Sequence, residues 1–554
     1  MRRICQPIKT CVVLLATAVI LSDCGQVNTT GSTGGNGGRR INTTTQPHVL
    51  RFSYAEDIGT LNPELSIQAP VFTLADMTMA WLFRYGHDNK PTPELAVEVP
   101  TKENGDISSD GKTIRIKLRR GVKWSDGVPF SADDVIFSTN VENNPANNVI
   151  SRNGFELVQK MDEPDKYTVI FHLRRPFSAF LPIFFTTGGA EPALMPKHIL
   201  GKLPNINNAA YNSLPVGIGP FKYVAWNRGS DVELEANPFY WRGLPKLKRV
   251  VFKIIPDRNT VFTQLTTGEL DLWYPATGQF LSRIKALHGY DVIREPSYIY
   301  DHFDFNLTRP ALRDRAVRQA LRLALDRKTM LDKVRHGVGI LQESLVPPVY
   351  PGAPKNVSMV PFDISKANQI LDVAGWQRRP GGIRSKNGVQ LNLEFASGVG
   401  TPDTDTQLEL VRGWWKQLGI AITVKRYLTP MLFNSAANGG IIYGGKYDIV
   451  AFATGTEAVD DLSQSYSCAF IPPNGQNSTH YCNRALEPEF AEFRTRYGYE
   501  AQAPILARID KAITDDVPLI VTASREDLFA VSKDIKNFHP NAVSPFDDMM
   551  NVDI

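Results

Sequence analysis

Short runs of alternating apolar and polar residues dominate positions 49–253 and predict β-strands. In residues 114–118 and 169–173 every second side chain is apolar, which is the period of a strand with one face buried and the other in water. Glycine and proline are dense between such runs, as in residues 215–220, and mark turns. The first part of the chain is therefore expected to consist mainly of strands joined by short turns.

After about residue 310 the apolar positions follow a helical period. Residues that recur three or four positions apart lie on one face of an α-helix. The sequence contains three such sets: Val317, Ala320, Leu321 and Ala324; Ala367, Ile370, Leu371 and Ala374; and Leu408, Val411, Trp415 and Leu418. Each set is expected to be the buried face of a helix rather than a cofactor site.

The ends of two of these helices are marked in the sequence. Asp363 is predicted as the N-cap of a helix over residues 364–374, and Gly375 follows its last residue. An Asp side chain accepts hydrogen bonds from the free N–H groups of a first turn, and Gly adopts the left-handed conformation that ends a helix. Gly419 ends the third helix, and residues 420–424 have the pattern of a strand. A helix, a stop and a strand in succession are typical of a mixed α/β lobe.

The N-terminus predicts export. Three basic residues within the first nine precede an apolar run over residues 11–21, which is shorter than the roughly 20 residues that cross a bilayer but suits a signal peptide. Cys24 closes this run and resembles the lipid-modified cysteine of bacterial lipoproteins, although Asp23 stands where Gly, Ala or Ser is usual. We expect residues 1–24 to be a signal peptide with Cys24 as a lipid anchor; ordinary signal cleavage nearby is the alternative.

Residues 25–46 are expected to be a flexible tether. They are mainly Gly, Ser, Thr and Asn with almost no apolar side chains, so they cannot bury enough surface to offset the entropy lost on ordering. A tether behind a lipid anchor would let a soluble body range over a membrane surface.

Length, composition and charge narrow the class of protein. A chain of 554 residues exceeds what one hydrophobic core usually organises, so two or more lobes are expected. The chain is 42% hydrophobic and 21% charged, as in an ordinary soluble protein. A net charge of only +4, without a basic stripe, argues against a nucleic-acid binder.

Two cysteines remain after the exported segment is set aside. Cys5 and Cys11 lie in the removable part and Cys24 is the candidate anchor, which leaves Cys468 and Cys482. In an oxidising compartment these two are expected to form a disulfide that closes a loop of roughly 15 residues and contributes about 3 kcal/mol. Two free buried thiols are the alternative. The chain has no CxxC motif and no Cys/His cluster, so a metal site is not expected.

The sequence lacks the common catalytic motifs. It has no G-x-S-x-G, no H-E-x-x-H and no S-x-x-K with its companion motifs. Residues 440–447 match G-x-x-x-x-G-K, but Tyr447 follows where a P-loop needs Ser or Thr, and residues 448–452 have the pattern of a strand instead of a helix. We therefore predict no enzyme and no cofactor. A secreted hydrolase that uses scattered carboxylates is the alternative from a different class.

Several blocks of sequence resemble the family 5 extracellular solute-binding proteins of ABC importers, which include dipeptide, oligopeptide and nickel binding proteins. The most specific block is residues 110–135, a strand and an Asp-Gly turn that lead to a helix capped near Ser131. The others follow in the family's order: residues 57–63, 215–221, 237–243, 268–271, 305–306, 317–321, 326–327 and 374–376. Together they cover about residues 49–535.

This resemblance implies an α/β fold with two lobes of the periplasmic-binding-protein-like class II type. It implies a first lobe over residues 47–290 with a subdomain inserted at 86–209, a second lobe over 291–514, and a return to the first lobe at 515–554. Two crossovers would form the hinge, and closure would bury a ligand between the lobes. The implied partners are a membrane permease and its ATPase subunits, with the receptor a monomer in the periplasm or cell envelope.

The resemblance also implies a ligand site. In peptide binders of this family an Asp in a Gly-Asp-x-x-Asp-Pro-like stretch pairs with the free amino group of the peptide. Residues 452–461 match that stretch, but its acidic position holds a threonine and the Asp-Pro pair is absent. The candidate ligand-binding residues are Thr454, Gly455, Thr456, Glu457 and Asp460, with Glu457 or Asp460 as substitute carboxylate. A peptide is the predicted solute; a sugar, a nickel chelate or another organic solute are the alternatives.

Overall fold

Two long antiparallel strands run through the centre of a ten-stranded sheet and organise the fold. The computed structural model describes residues 41–187, 192–355, 357–400, 402–436, 438–455 and 461–554. Cys24, Thr456, Glu457 and Asp460 lie outside the described residues.

The strands are β1 Val49–Tyr54, β2 Phe83–Tyr85, β3 Pro91–Pro93, β4 Thr113–Lys117, β5 Val158–Asp165, β6 Thr168–Leu173, β7 Phe221–Asn227, β8 Asp231–Ala236, β9 Arg249–Ile254, β10 Leu272–Ala276, β11 Tyr290–Phe305, β12 Gln377–Arg378, β13 Arg384–Lys386, β14 Val389–Gln390, β15 Asn392–Gly398, β16 Ala421–Tyr427, β17 Ile449–Gly455 and β18 Leu519–Ser532. The α-helices are α1 Ala69–Thr78, α2 Ala132–Asn143, α3 Phe180–Ile183, α4 Lys197–Leu200, α5 Arg258–Thr266, α6 Leu281–Lys285, α7 Pro310–Arg313, α8 Arg315–Leu323, α9 Arg327–Val334, α10 Ile364–Val373, α11 Pro402–Lys416, α12 Thr429–Phe433, α13 Ser463–Tyr466, α14 Glu487–Phe493 and α15 Tyr499–Asp516. Single 3-10 turns lie at Pro63–Leu65, Phe155–Leu157, Ala210–Ser213, Gly278–Phe280, Cys468–Phe470 and Arg484–Leu486.

The strand order of the large sheet divides it into two groups joined by β11 and β18. The order is β16-β15-β17-β11-β18-β10-β1-β9-β8-β7. One group is β16, β15 and β17 on one side of β11 and β18, and the other is β10, β1, β9, β8 and β7 on the other side. The N-terminal end of β11 pairs with the part of β18 that contacts β10, whereas residues 299–305 of β11 pair with β17. The pairing of β11 with β18 is irregular between Pro296 and Tyr300. Each long strand therefore belongs to both groups, and the ladder changes register between them.

Separate hydrophobic cores cover the two groups of strands. In one core the ring of Phe52 on β1 lies 5.0 Å from that of Phe252 and 5.1 Å from that of Phe546. In the other core Trp415 of α11 packs against Phe395 of β15, with ring centroids 6.1 Å apart. Burial of such aromatic side chains is the main source of stability in each half.

A third core belongs to a smaller sheet of order β4-β6-β5. Phe171 of β6 packs against Phe180 and Phe184, with ring centroids 5.3 and 5.6 Å away. Helix α2 covers this sheet and begins after Ser131, whose N–H donates to the side chain of Asp134 at 3.0 Å. The described residues from Ile41 to Ile554 form one compact unit, so the lobe boundaries expected from the resemblance stay predictions.

The periodic segments of the sequence form the predicted elements. The predicted strands 114–118 and 169–173 are β4 and β6, and the predicted strand 420–424 lies in β16. The side chain of Asp363 accepts from the N–H of Lys366 at 2.7 Å, which caps α10. Gly375 and Gly419 have φ values of +82° and +74°, the left-handed conformation that follows a helix.

The N-terminal boundary of the folded body differs from the predicted one. The composition predicts a tether up to residue 46, but the Asp534 carboxylate accepts hydrogen bonds from the N–H groups of Ile41 and Asn42 at 2.8 and 2.9 Å. The folded body therefore includes Ile41.

Cys468 and Cys482 form a disulfide with their Cα atoms 4.6 Å apart. None of the helices in the described part of the chain is both long and apolar enough to span a membrane.

Candidate ligand-binding cleft

A cleft of about 630 Å³ opens where β11 and β18 join the two groups of strands. Its floor consists of Ile299, Asp301 and His302 of β11 and residues 525–528 of β18. One wall contains Tyr54 and residues 274–279, and the other contains residues 397–399, Asp403, Thr404, Gln407 and residues 451–453. β1, β10 and β15 all end at this cleft. Ligands of open α/β sheets commonly bind at the carboxyl ends of strands.

An ion-pair network fixes the floor. Oδ1 of Asp301 accepts from Nη2 and Nε of Arg525 at 2.6 and 3.1 Å, and Nε of Arg335 lies 3.6 Å from Oδ2. Burial of Asp301 favours the neutral acid, but the two guanidinium groups outweigh it and hold the pKa of this carboxyl below its usual value. Asp301 is therefore ionised and already paired with two cationic side chains of the protein.

Two further carboxylates connect the floor to the segment after α9. Glu526 pairs with Arg294 and accepts from the N–H of Gly339 at 2.8 Å. Asp403 lies 3.3 Å from Nε2 of His336. Glu526 thus contacts the segment at Gly339, and Asp403 contacts it at His336.

The remaining carboxylate of the floor, Asp527, has a different environment. Its Oδ2 accepts from the Tyr274 hydroxyl at 3.3 Å, and it forms no ion pair with any residue the structure describes. Burial raises the pKa of Asp527 to about 6, although the Tyr274 hydroxyl, Arg525 and Arg335 each favour the ionised form. Asp527 is thus a cleft carboxyl whose charge is incompletely compensated.

A buried network lies behind the wall that β17 provides. Nδ1 of His302 is 2.7 Å from Oδ1 of Asp304, and Nε2 is 2.7 Å from the hydroxyl of Thr454. Oδ2 of Asp304 accepts from the hydroxyl of Ser478 at 2.8 Å. The ring of Phe452 contacts His302 with centroids 4.2 Å apart and lines the cleft. These contacts fix the end of β17 against β11.

The structure brings the described part of the predicted site close to the cleft. Thr454 and Gly455 end β17 and pair with Tyr300 and Ile299 of β11, directly after the cleft-lining residues 451–453. The Thr454 hydroxyl contacts His302. Within the described ranges, no three His, Cys, Asp or Glu side chains are grouped so as to hold a metal ion.

Sequence reasoning missed the contribution of β18 to the floor. The signal was present, because Arg525, Glu526 and Asp527 form a run of three charged residues inside an otherwise largely apolar strand. A charged run at that position in a buried strand indicates a site where the strand faces a cavity.

Comparisons with known proteins agree with this architecture. Residues 90–475, more than half of the chain, match the family described as bacterial extracellular solute-binding proteins, family 5 middle. Oligopeptide-binding protein AppA of Bacillus subtilis is 28% identical over 345 residues, which are 61% of this chain and 62% of AppA. Glutathione-binding protein GsiB of Pectobacterium atrosepticum is 27% identical over 487 residues, which are 86% of this chain and 89% of that protein.

A solved structure has the same fold. The structure of AppA from Bacillus subtilis in complex with a nonapeptide aligns with a TM-score of 0.74 at 21% identity, over 92% of this chain and 99% of that chain. The α/β fold is therefore two-lobed and of the class II periplasmic-binding-protein-like type, as predicted. Members of the matched family are extracellular receptors that bind solutes. The chain belongs to the family 5 extracellular solute-binding proteins.

Proposed function

We propose that this chain is the solute receptor of an ABC import system and that it captures peptides in the cleft described above. The observation that carries this proposal is the position of the cleft over β11 and β18, the two strands common to both groups of the sheet. Rotation of one lobe about these strands would bring the opposite walls together around a ligand.

The dimensions and polarity of the cleft support a peptide. A volume of about 630 Å³ lies in the range of small-ligand pockets. The cleft contains carboxylates and guanidinium groups together with aromatic side chains, and a zwitterionic peptide offers partners for each. The names of AppA and of its nonapeptide complex give further support. Thr454 and Gly455 at the end of β17, together with Thr456, Glu457 and Asp460, are proposed to contact the same ligand.

Two lobes over residues 47–290 and 291–514, with a return at 515–554, fit this mechanism. The expected boundaries lie next to the first residues of β11 and β18. Phe546 and Met549 pack into the same core as Leu50 of β1, which supports the return of the chain to the first lobe. The separate sheet β4-β6-β5 supports an inserted subdomain at 86–209.

Capture would work by a shift between open and closed forms. A ligand that contacts both walls binds the closed form more tightly, and this difference in affinity limits how far the equilibrium moves. A membrane permease would recognise the closed receptor, and separate ATPase subunits would supply the energy. The receptor itself performs no chemistry in this proposal.

Thermal unfolding with and without peptides tests the function. A pool of tri- to pentapeptides should raise the melting temperature, because a ligand at 100 times its Kd stabilises the folded state by about 2.7 kcal/mol. Native mass spectrometry should find peptides that co-purify, and the peptides should remain intact after incubation. A shift caused only by sugars or metal chelates, or breakdown of the added peptide, would contradict the proposal.

We also propose that the chain is exported and anchored through Cys24. Cys24→Ser removes the thiol that would carry the lipid, so the protein should move from the membrane fraction to the soluble fraction of the cell envelope. Cys5→Ser, in the same leader, is the matched control and should leave the distribution unchanged. Membrane retention of Cys24→Ser would disprove the anchor.

A further inference from the structure

Four carboxylates line the cleft, and the structure provides three of them with partners that can carry positive charge. These pairs are Asp301 with Arg525 and Arg335, Glu526 with Arg294, and Asp403 with His336. Asp527 has only the neutral Tyr274 hydroxyl, at 3.3 Å, among the described side chains within hydrogen-bond distance. A cationic group of a ligand would give Asp527 the kind of partner that the other three carboxylates already have.

Two tyrosine side chains, Tyr274 and Tyr54, lie near this carboxylate. The ring of Tyr274 stacks on Phe529 with centroids 4.5 Å apart and meets the edge of Tyr54 at 6.1 Å. Tyr54 and Tyr274 both line the cleft. Burial raises the pKa of Tyr54, and the negative charge of Asp527 raises it further. A carboxylate beside two aromatic rings suits an ammonium group, which forms charge-assisted hydrogen bonds and is attracted to the faces of rings.

We infer that Asp527 binds the cationic group of the ligand and that the ligand carries a primary ammonium, as the N-terminus of a peptide does. This inference rests on the proposed function, because it treats the cleft as the ligand site. It also assigns to β18 the role that the resemblance gives to residues 452–461.

The electrostatics of the site have a consequence for pH. Tyr54, Tyr274, Glu295, Asp301, Arg335, Arg525 and Glu526 are the titratable groups around Asp527. Burial raises the pKa of Asp527 to about 6 in the free protein, and an ammonium partner would lower it. The affinity for an amine should therefore increase as the pH rises from 5 to 7, because the carboxylate must be ionised to pair.

The experiment compares two peptide pools on the full chain. Tri- to pentapeptides with free N-termini and the same pool after N-acetylation are titrated against the wild-type protein and Asp527→Asn. We expect acetylation to weaken binding to the wild type about 10- to 100-fold, the range for a lost hydrogen bond to a charged group. Asp527→Asn should bind both pools equally weakly. Asp291→Asn, the same change at an exposed position of β11, is the matched control and should discriminate as the wild type does.

Different results separate the possible failures. If neither pool binds the wild type, the proposed function and this assignment both fall. If the wild type binds both pools equally, or Asp527→Asn still prefers free N-termini, peptides are ligands but Asp527 is not the amino-group site. Loss of the preference in Glu457→Ala or Asp460→Ala, with Asp527→Asn unaffected, would return the role to that residue. If Asp527→Asn does not fold, the wild type still tests the assignment: its affinity for the free-amine pool should rise from pH 5 to 7, and an affinity that does not change with pH would overturn it.

Discussion

Glu64 and Glu142 are buried next to each other although both side chains ionise in water. Their residues are 4% and 1% exposed. Glu64 accepts from the N–H of Ala193 at 2.6 Å. Burial and the neighbouring glutamate raise the pKa of Glu64 well above its usual value, and burial raises the pKa of Glu142 to about 7 in spite of Arg152. The pair is therefore stable when it retains protons, since two buried carboxylates would repel each other.

The protein should lose stability as the pH rises past the ordinary range of glutamate. The folded state keeps the Glu142 proton up to a pH near 7, whereas the unfolded chain releases it near 4.5. The folded state then binds more protons, so the free energy of unfolding falls between these pH values, by about 3 kcal/mol for this group. Glu142→Gln keeps the shape of the neutral acid and should remove the part of the slope that Glu142 contributes, whereas the part from the buried Glu64 remains.

Denaturant unfolding from pH 4.5 to 8 measures the slope. Asp133→Asn is a matched control on the same helix, because the side chain of Asp133 is exposed and its pair with Lys197 lies at the surface. The control should retain the wild-type slope. An identical pH dependence for Glu142→Gln and the wild type would show that the buried pair does not retain its proton.

At the residue scale, the sequence shows which side chains are present but not which of them lie next to each other in the fold. Glu64 and Glu142 are far apart along the chain and belong to no recognisable motif. The charged run that includes Asp527 is visible in the sequence. Asp527 itself lacks an ion pair because Arg525 and Arg335 pair with Asp301, and the sequence does not show this. Those contacts come from separate elements, so periodicity and capping rules cannot predict them.

At the scale of elements, local signals worked where one face of an element is buried. Helices α10 and α11 have an apolar stripe and a marked end, and β4 alternates between buried and partly exposed residues. Strand β18 gives no such alternation, because both of its faces are buried over most of its length. Strand β11 is irregular where it passes from one group of strands to the other. The strands that form the floor of the cleft were therefore the hardest to predict.

The segment at residues 452–461 illustrates the limit of a family motif. The resemblance gives residues 452–461 a role in binding, and the structure ends β17 beside the cleft. It also couples the Thr454 hydroxyl to His302, a contact that no motif contains. A motif predicts which segment lies near a ligand, whereas the side chains that are free to bind depend on tertiary packing.

On the scale of the whole molecule, the inserted subdomain contacts the segment around Tyr497 away from the hinge strands. The Tyr497 hydroxyl accepts from the N–H of Phe177 at 3.2 Å and donates to the carbonyl of Gly111 at 3.1 Å. The N–H of Ser178 donates to the carbonyl of Arg494 at 3.3 Å. In the proposed lobe arrangement these bonds join the inserted subdomain to the second lobe, so they exist only while the lobes are close together.

Tyr497→Phe should weaken ligand binding although Tyr497 does not line the ligand-binding cleft. The change removes two hydrogen bonds of the closed form, each worth about 1 kcal/mol, and keeps the ring over which Nζ of Lys102 lies at 5.1 Å. The closed form should become less populated, so the peptide affinity should fall about 5- to 30-fold, mainly through faster dissociation. Stopped-flow dissociation of a fluorescent peptide measures this rate directly. Tyr167→Phe makes the same change within the inserted subdomain, away from the Tyr497 contact, and should dissociate as the wild type does. An unchanged rate for Tyr497→Phe would mean that these bonds do not hold the receptor closed.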